Sequence, residues 1–314
     1  MRLVSGLERI HELKKGSVVT VGNFDGVHVG HQHVINKLAE EGRKLDLPVV
    51  VVLFEPQPRE FFAPDQSPPR LTGLREKLMQ LVRLPVDLVL LLRFDRALAN
   101  LPADTFIRQI LIDRLNTKFL VVGDDFRFGK DRAGDFTSLT AAGDEYGFLV
   151  QCTGSVIVDG VRVSSTLIRD VLAAGQLSAA ERFLGRPYSI CGRVVPGEQR
   201  GRALGFPTAN IRMARENSPI QGVFAVTMRG YGKSPLPGVA NIGFRPTVQG
   251  FRGLLLETHV LDFHHDLYRH RVEVCFHQKL RDERKFSDLS ELGTQIKRDV
   301  DAAQAYFRGA SRSW

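Results

Sequence analysis

Cysteine is scarce in this sequence, and its three residues form no recognisable pattern. Cys152, Cys191 and Cys275 are widely spaced, odd in number and outside any CxxC pair. Disulfide frameworks and structural zinc sites need paired or regularly spaced cysteines. Neither is therefore indicated, and we expect three reduced thiols.

Long apolar runs are also missing. Residues 1–16 carry charges throughout and contain no apolar stretch of the kind found in signal peptides. The apolar runs elsewhere are far shorter than the roughly 20 residues that cross a bilayer. We expect a cytoplasmic protein that does not contact membranes.

Internal repeats, low-complexity segments and the common nucleic-acid-binding signatures are absent as well. The net charge is +8, but the basic residues are dispersed along the chain. Such a charge suits polyanionic partners, and nucleotide phosphates satisfy it as well as nucleic acids do. We expect small phosphorylated ligands and no nucleic acid; the sequence does not indicate an oligomeric state.

The first half of the chain contains four short, continuous apolar runs, at 17–21, 49–54, 86–92 and 119–122. Continuous rather than alternating hydrophobicity is typical of strands that are covered on both faces, as in a parallel sheet. Amphipathic helical patterns lie between these runs. The alternation predicts a doubly wound α/β domain, with its ligand at the carboxyl ends of the strands.

The second half of the chain has a different pattern of predicted secondary structure. After helical patterns at 165–174 and 179–184, the sequence Gly185-Arg186-Pro187 is followed by short strand-like segments separated by glycine and proline. These segments lie at 189–195, 222–228, 238–242, 254–261 and 271–278. They predict an antiparallel β-barrel, closed by a helix at 289–307. The sequence thus predicts two domains, 1–184 and 185–314.

Residues 22–31 follow a predicted strand and open a predicted helix. Gly22 and Gly30 allow the backbone to approach a phosphate, and a helix N-terminus offers unpaired N–H groups. His28 and His31 are three residues apart and can face one ligand, where they can donate hydrogen bonds to an α-phosphate during in-line attack. They could instead cap or pack the turn.

Two further segments of the first domain offer groups for a nucleotide or an aromatic ring. Phe126, in a glycine-rich basic loop at 123–130, could stack on a ring or could belong to the core. Residues 164–169 combine hydroxyls at a helix start with Arg169, which could stabilise pyrophosphate or be a solvated side chain behind an ordinary N-cap.

The second domain contains a glycine-rich loop. Gly201 and Gly205 could let the backbone wrap phosphates, and Thr208 and Asn210 could supply oxygen ligands to Mg²⁺. The loop is neither a Walker A nor a protein-kinase loop, so its residues alone leave its purpose open.

Taken together, these segments resemble one family. Residues 22–31 are similar to the GxFDGxHxGH motif of the FMN adenylyltransferase domain of bacterial bifunctional riboflavin kinase/FAD synthetases. Residues 123–130 resemble the flavin-side loop of that domain, residues 164–169 its SSTxIR motif, and residues 201–210 the riboflavin kinase motif GRxLGFPTAN. The resemblance covers nearly the whole chain. It implies that riboflavin is phosphorylated to FMN and that FMN is adenylylated to FAD, with one ATP consumed at each step and Mg²⁺ as the cofactor.

The resemblance also implies roles for individual residues. Glu257 matches the catalytic glutamate and would accept the proton of the ribityl hydroxyl as it attacks the γ-phosphate, although strand alternation also allows it to face outward with His259. Arg281 and Phe286 lie in the element that closes over the flavin. The remaining implied ligand contacts in the first domain are Phe24, Asp25, Asp125, Ser165 and Thr166.

Three positions depart from the family pattern. Gln57 stands where many members carry His, Asp125 where many carry Asn, and Phe224 where Tyr is usual. These departures leave open an enzyme in which one site has decayed. The HxGH motif alone would also suit another adenylyl- or cytidylyltransferase, and a flavin- or nucleic-acid-binding regulator without catalysis is the third alternative.

Overall fold

The chain folds into two compact units. In the computed structural model, the described residues are 1–10, 13–197, 204–213, 215, 217–246, 252–263 and 265–309, with the backbone alone at 244–246, 252 and 253. The first unit comprises Met1–Pro68 and Lys77–Val163, and the second comprises Pro69–Glu76 and Ser164–Trp314.

A parallel sheet forms the centre of the first unit. Its strands are β1 (Arg2–Ser5), β2 (Ser17–Val21), β3 (Val49–Glu55), β4 (Leu88–Arg93), β5 (Thr117–Gly123) and β6 (Leu149–Thr153), in the order β1-β4-β3-β2-β5-β6. A small hairpin follows, made of β7 (Ile157–Val158) and β8 (Val161–Arg162). The strands predicted from continuous apolar runs are the inner strands β2 to β5, and each lies buried on both faces.

Helices connect the strands of this sheet. They are α1 (Val29–Leu45), α2 (Pro58–Phe62), α3 (Leu74–Leu81), α4 (Arg96–Ala99), α5 (Ala103–Phe106), a π-helix (Ile107–Ile112) and α6 (Phe136–Tyr146). Leu38 and Ala39 of α1 pack against Val18, Phe119 and Val121 of the sheet. The alternation of strand and helix confirms the predicted doubly wound α/β domain.

The order of the strands locates the crevice of the first unit. From β2 the chain moves to β3 and β4 on one side, whereas β5 and β6 lie on the other side. In such sheets ligands bind where the strand order reverses, beyond the carboxyl ends of the strands. The loops after β2 and β5 leave neighbouring strands at this edge.

A closed antiparallel barrel forms the centre of the second unit, again as predicted. After α7 (Ser165–Ala173) and α8 (Leu177–Leu184) come β9 (Tyr188–Val195), β10 (Ala209–Arg212), β11 (Gly222–Arg229), β12 (Leu236–Pro246), β13 (Arg252–Val260), β14 (Arg271–Arg281) and α9 (Leu289–Gly309). The strand order is β10-β13-β12-β11-β14-β9. Helix α9 covers part of the outer face, where Ala303 joins a buried cluster with Val223, Ala225 and Val239.

A buried ion pair explains why residues 69–76 belong to the second unit. The side chains of Glu76 and Arg215 are 7% and 4% exposed and bind each other. Glu76 also accepts a hydrogen bond from the backbone N of Cys191 at 2.7 Å, and Arg215 donates one to the Tyr188 hydroxyl at 2.9 Å. The domain boundary at 184/185 stays a prediction, since residues 164–184 also group with the barrel.

Candidate active sites

The loop between β2 and α1 is tightly wound. Phe24, Gly26 and Val27 have positive φ angles of 48°, 88° and 44°, and the backbone N of Val27 donates to the carbonyl of Phe24 at 3.2 Å. Phe24 and Asp25 are 4% and 3% exposed, so these two predicted ligand contacts lie within the body of the loop. The buried ammonium of Lys77 donates to the carbonyl of Asn23, which fixes the loop from within the unit.

The two histidines of the loop form a stacked pair at the start of α1. Their ring centroids are 3.6 Å apart at an interplanar angle of 19°, and the His31 ring also lies 4.9 Å from that of Phe24. His28 is the N-cap residue, and its Nδ1 accepts from the backbone N of His31 at 3.4 Å. Because Nδ1 is the acceptor, the proton of the neutral His28 ring lies on Nε2.

Two glycines make room for these rings. A Cβ atom at Gly30 would lie 3.1 Å from the His28 ring, and one at Gly22 would lie 3.2 Å from the Phe24 ring. Both contacts are tighter than most Cβ atoms tolerate. The glycines of the motif therefore serve ring packing here, in addition to the phosphate approach predicted from the sequence.

The loop after β5 lies at the same edge of the sheet, because β5 is the neighbour of β2. Asp125 is exposed and Phe126 is half-buried. The Phe126 ring stacks on Phe128 at 5.5 Å, and Phe128, which is 6% exposed, is a core residue. Thus of the two phenylalanines in this loop, Phe126 retains an accessible ring surface.

Gln57 lies at the carboxyl end of β3, the other neighbour of β2. It is the N-cap residue of α2, and its backbone N donates to Oε2 of Glu60 at 2.9 Å. The residue is 8% exposed, and its Nε2 has no hydrogen-bond partner among the residues that the structure describes. A buried amide is therefore left with an unused donor, a feature that the sequence pattern alone did not reveal.

The segment at 164–169 starts α7 and lies in the second unit. The Ser164 hydroxyl caps the helix by accepting from the backbone N of Leu167 at 3.1 Å. Ser165 is half-buried and Thr166 is exposed. Arg169 donates from Nε to the carbonyl of Pro69 at 2.7 Å, so this arginine is not simply a solvated side chain.

A cavity of about 240 Å³ lies on the outer face of the barrel, beside α9. Its apolar wall is formed by side chains from the barrel, the 204–206 segment and α9, namely Leu204, Phe206, Val223, Val239, Leu292, Ile296 and Val300. Its polar and aromatic groups are Thr208, Asn241, Glu257, His259, Arg281, Glu283, Arg284, Phe286 and Asp299. An apolar cavity with a few converging polar groups is typical of a small-molecule site.

Glu257 faces this cavity from β13. Leu256 and Thr258 point into the barrel and are fully buried, so alternation turns Glu257 and His259 outward, as the sequence allowed. The outward face is the cavity wall. Glu257 is paired in register with Asn210 on β10 and with Asn241 on β12, and residues paired in this way have Cα atoms about 4.5–5.5 Å apart.

The predicted phosphate loop leads into the same cavity. Thr208 lines it, and Asn210, on the strand β10, is 7% exposed. His259 donates from Nδ1 to the carbonyl of Pro207 at 2.9 Å, which holds the segment against β13. Gly205 has φ +84° and open space around it, whereas Gly201 lies outside the described residues.

Arg281 is held at the end of β14 by α9. Its Nε donates to Oδ1 and Oδ2 of Asp299 at 2.9 and 3.1 Å, and its Nη2 donates to Oδ2 at 2.8 Å. Gln295 donates to the same carboxylate at 2.8 Å. The guanidinium carbon lies 5.6 Å from the centre of the Phe286 ring. Asp299 and Asn241 are among the cavity residues that the sequence pattern did not single out, because only strand register and helix packing bring them there.

Two family models match the chain. One, described as FAD synthetase, matches residues 10–167, and the other, described as riboflavin kinase, matches residues 184–307. Together they span most of the sequence, and the second match begins close to the start of the barrel.

Curated relatives match over almost their full length. A protein of Escherichia coli (strain K12) named bifunctional riboflavin kinase/FMN adenylyltransferase is 51% identical over 308 residues, and the match covers 98% of each chain. The corresponding protein of Haemophilus influenzae is 46% identical over 307 residues, covering 98% of this chain and 99% of the relative. That of Pseudomonas fluorescens is 49% identical over 305 residues, covering 97% of each.

A solved structure has the same fold along the whole chain. It is titled as a macrolide-efflux protein from Streptococcus pneumoniae, with a TM-score of 0.82, 29% identity and coverage of 99% of this chain and 100% of that one. Within the described part of the present chain, no helix combines the length and apolar character that crossing a membrane requires.

Proposed function

The chain belongs to the family of bifunctional riboflavin kinase/FMN adenylyltransferases, and on that basis we propose which of its residues carry each reaction. It phosphorylates riboflavin to FMN and adenylylates FMN to FAD, with ATP as the second substrate of both steps. The observation that carries the assignment of the kinase site is the cavity beside α9, which Glu257 faces between Asn210 and Asn241 in register.

In the kinase reaction, Glu257 accepts the proton of the primary ribityl hydroxyl as that oxygen attacks the γ-phosphate of ATP. The bond from the γ-phosphorus to the bridging oxygen breaks, and ADP leaves. The reactants are held in line by the cavity walls, and this positioning supplies much of the rate enhancement. The apolar wall and Phe286 receive the flavin ring, and Arg281 lies beside that ring.

Magnesium suits two oxygen donors close to Glu257: Thr208, which lines this cavity, and Asn210, which is paired in register with Glu257. Thr208 offers a hydroxyl oxygen and Asn210 an amide oxygen, and Mg²⁺ prefers oxygen ligands of this kind. When bound, the ion neutralises charge on the phosphates of ATP. We assign Thr208 and Asn210 to Mg-ATP, together with the backbone around Gly201 and Gly205.

In the adenylyl transfer, a phosphate oxygen of FMN attacks the α-phosphate of ATP and pyrophosphate leaves. His28 and His31 donate hydrogen bonds to the α-phosphate as negative charge builds up on its oxygens. Gly22, Phe24, Asp25 and Gly30 shape the loop that carries both rings. No covalent intermediate is needed.

The other assignments for this transfer rest on the family motifs. Asp125 and Phe126 belong to the flavin side, and Ser165, Thr166 and Arg169 are assigned to the phosphates of ATP. All substrates are small molecules, and we place the enzyme in the cytoplasm, where ATP is abundant.

Product analysis tests both activities in one chain. Purified protein is incubated with riboflavin, excess ATP and magnesium, and riboflavin, FMN and FAD are separated chromatographically over time. FMN should rise and then give way to FAD. FMN without FAD would instead indicate that the first unit has lost its activity, as the departures at Gln57 and Asp125 would allow.

Two substitutions test the division of labour. His31→Ala should leave FMN formation intact and abolish FAD formation. Glu257→Ala should block the phosphorylation of riboflavin but spare the conversion of supplied FMN to FAD. Loss of both activities in either folded variant would contradict the assignment of FAD formation to His31 and of FMN formation to Glu257.

A further inference from the structure

The side-chain amide of Asn241 uses one of its two ends. Its Nδ2 donates to Oε1 of Glu283 at 3.1 Å. An ionised carboxylate only accepts hydrogen bonds, so this contact fixes the orientation of the amide, with NH₂ toward Glu283. Within the described part of the chain, the Oδ1 of Asn241 is shielded from solvent and accepts no hydrogen bond.

A buried acceptor without a donor is unfavourable, and native proteins rarely retain one without a reason. The Glu283 carboxylate lies in space that Gly243 leaves open, since a Cβ atom at position 243 would collide with it. The fixed amide therefore presents an acceptor that no group in the described part of the chain satisfies.

Strand register places this acceptor between the two ends of the cavity. Asn241 is paired with Glu257 on one side and with Val223 on the other, and Val223 is in turn paired with Arg281. Neighbouring strands are about 4.8 Å apart. A row of four residues on β13, β12, β11 and β14 thus runs from the proposed base to the end that α9 covers.

We propose that Oδ1 of Asn241 accepts a hydrogen bond from a secondary hydroxyl of the ribityl chain and so positions the primary hydroxyl against Glu257. The inference rests on the proposed function, in which Glu257 is the base and the ring lies beside α9. A substrate held in this way lays its polyol chain over β12. The next residue of the row, Val223, is apolar, so Asn241 is the residue beside the base Glu257 that offers an acceptor to that chain.

The test compares riboflavin with 2′-, 3′- and 4′-deoxyriboflavin as kinase substrates. Asn241→Leu removes the acceptor and should lower kcat/KM for riboflavin about tenfold, the usual effect of one lost hydrogen bond. For one of the deoxy analogues the same substitution should have almost no effect, because that analogue has already lost the donor.

A swapped pair supplies the rescue. The double variant Asn241→Asp with Glu283→Gln restores an acceptor oxygen at 241 and a donor–acceptor contact with position 283. It should recover most of the activity on riboflavin and the discrimination against the same analogue. Conversion of FMN to FAD by each preparation, which should not change, serves as the folding control.

Equal losses on riboflavin and on all three analogues in Asn241→Leu would overturn the inference, as would a swapped pair no better than Asn241→Leu. Glu257→Gln separates this failure from that of the proposed function. If that variant kept its kinase activity, the assignment of the base would be wrong.

Discussion

Gly30 shows how a hydrogen atom in place of a methyl group leaves room for the His28 ring. Because a Cβ atom there would lie 3.1 Å from the His28 ring, we predict that Gly30→Ala displaces the ring and lowers the rate of FAD formation at least about tenfold. FMN formation from riboflavin should be unchanged.

A matched control for this substitution lies in the same unit. Gly154 has nothing within 4 Å of the place where a Cβ atom would stand, so Gly154→Ala should affect neither rate. Initial rates of both reactions in the two variants provide the measurement. A fully active Gly30→Ala enzyme would mean that the position of the His28 ring does not limit adenylylation.

At this scale, short motifs in the sequence revealed the residues with distinctive chemistry but not their partners. His28, His31 and Glu257 could be proposed as site residues because their neighbours in the chain are unusual. Asn241 and Asp299 could not, because their places in the cavity depend on a strand pairing and on a helix that crosses a barrel. Nothing in the local sequence encodes these contacts.

Among the elements, α9 is tied to β14 by the contact of Arg281 with Asp299. Asp299 is 5% exposed, so Asp299→Asn leaves a partly buried guanidinium without its counter-charge. We predict a loss of about 2 kcal/mol in the stability of the second unit and a raised KM for riboflavin, with FMN adenylylation unchanged.

The exposed Asp301 on the same helix provides the comparison. Asp301→Asn should leave both the stability and the KM unchanged. Thermal unfolding and steady-state kinetics of the two variants test the prediction. If Asp299→Asn behaved like Asp301→Asn, the ion pair would not be what holds Arg281 in place.

Strand β14 also carries a histidine that should make the barrel sensitive to acid. Burial, with a smaller effect from Arg229, lowers the pKa of His277 from 6.5 to about 4, and its Nε2 is 2.8 Å from the Thr227 hydroxyl. The unfolded chain binds the proton more tightly. The contribution of neutral His277 to stability is therefore fully present above pH 6.5 and is lost as the pH decreases toward 4.

Over that pH range we expect this histidine to lower the free energy of unfolding by on the order of 2 kcal/mol, after allowance for the partial solvent contact of the ring. His277→Gln should reduce the loss. Hydrogen exchange of peptides from β14 and α9 at pH 7 and pH 4.5 measures the difference. The same acid sensitivity in both proteins would assign it to other groups.

The elements themselves were predictable where burial is uniform. The inner strands β2 to β5 are continuous apolar runs, and their predicted bounds differ from the observed ones by two residues or fewer. The edge strands β1 and β6 are partly exposed, and β10 has only four residues. Their apolar patterns are accordingly interrupted or too short, and none of the three strands could be predicted from the sequence.

At the scale of the whole molecule, the second unit includes a segment taken from the middle of the first. Glu76 and Arg215 lie 139 positions apart and form a buried pair. Removing one partner of such a pair leaves a buried charge without compensation. We predict that Glu76→Ala destabilises the second unit by about 3–5 kcal/mol.

Thermal unfolding of the full chain, followed by circular dichroism and by residual kinase activity after heating, tests this prediction. Glu145→Ala, an exposed glutamate on α6, controls for the loss of a carboxylate. An unchanged unfolding temperature for the kinase activity of Glu76→Ala would show that the segment 69–76 is dispensable to the barrel.

This interrupted arrangement sets an order of events on the ribosome. Glu76 is synthesised well before Arg215, and at about 5–20 residues per second the interval is roughly 7–28 s. Throughout that time the nascent chain carries a carboxylate whose partner does not yet exist. The segment 69–76 therefore reaches its final place only after translation has passed residue 215.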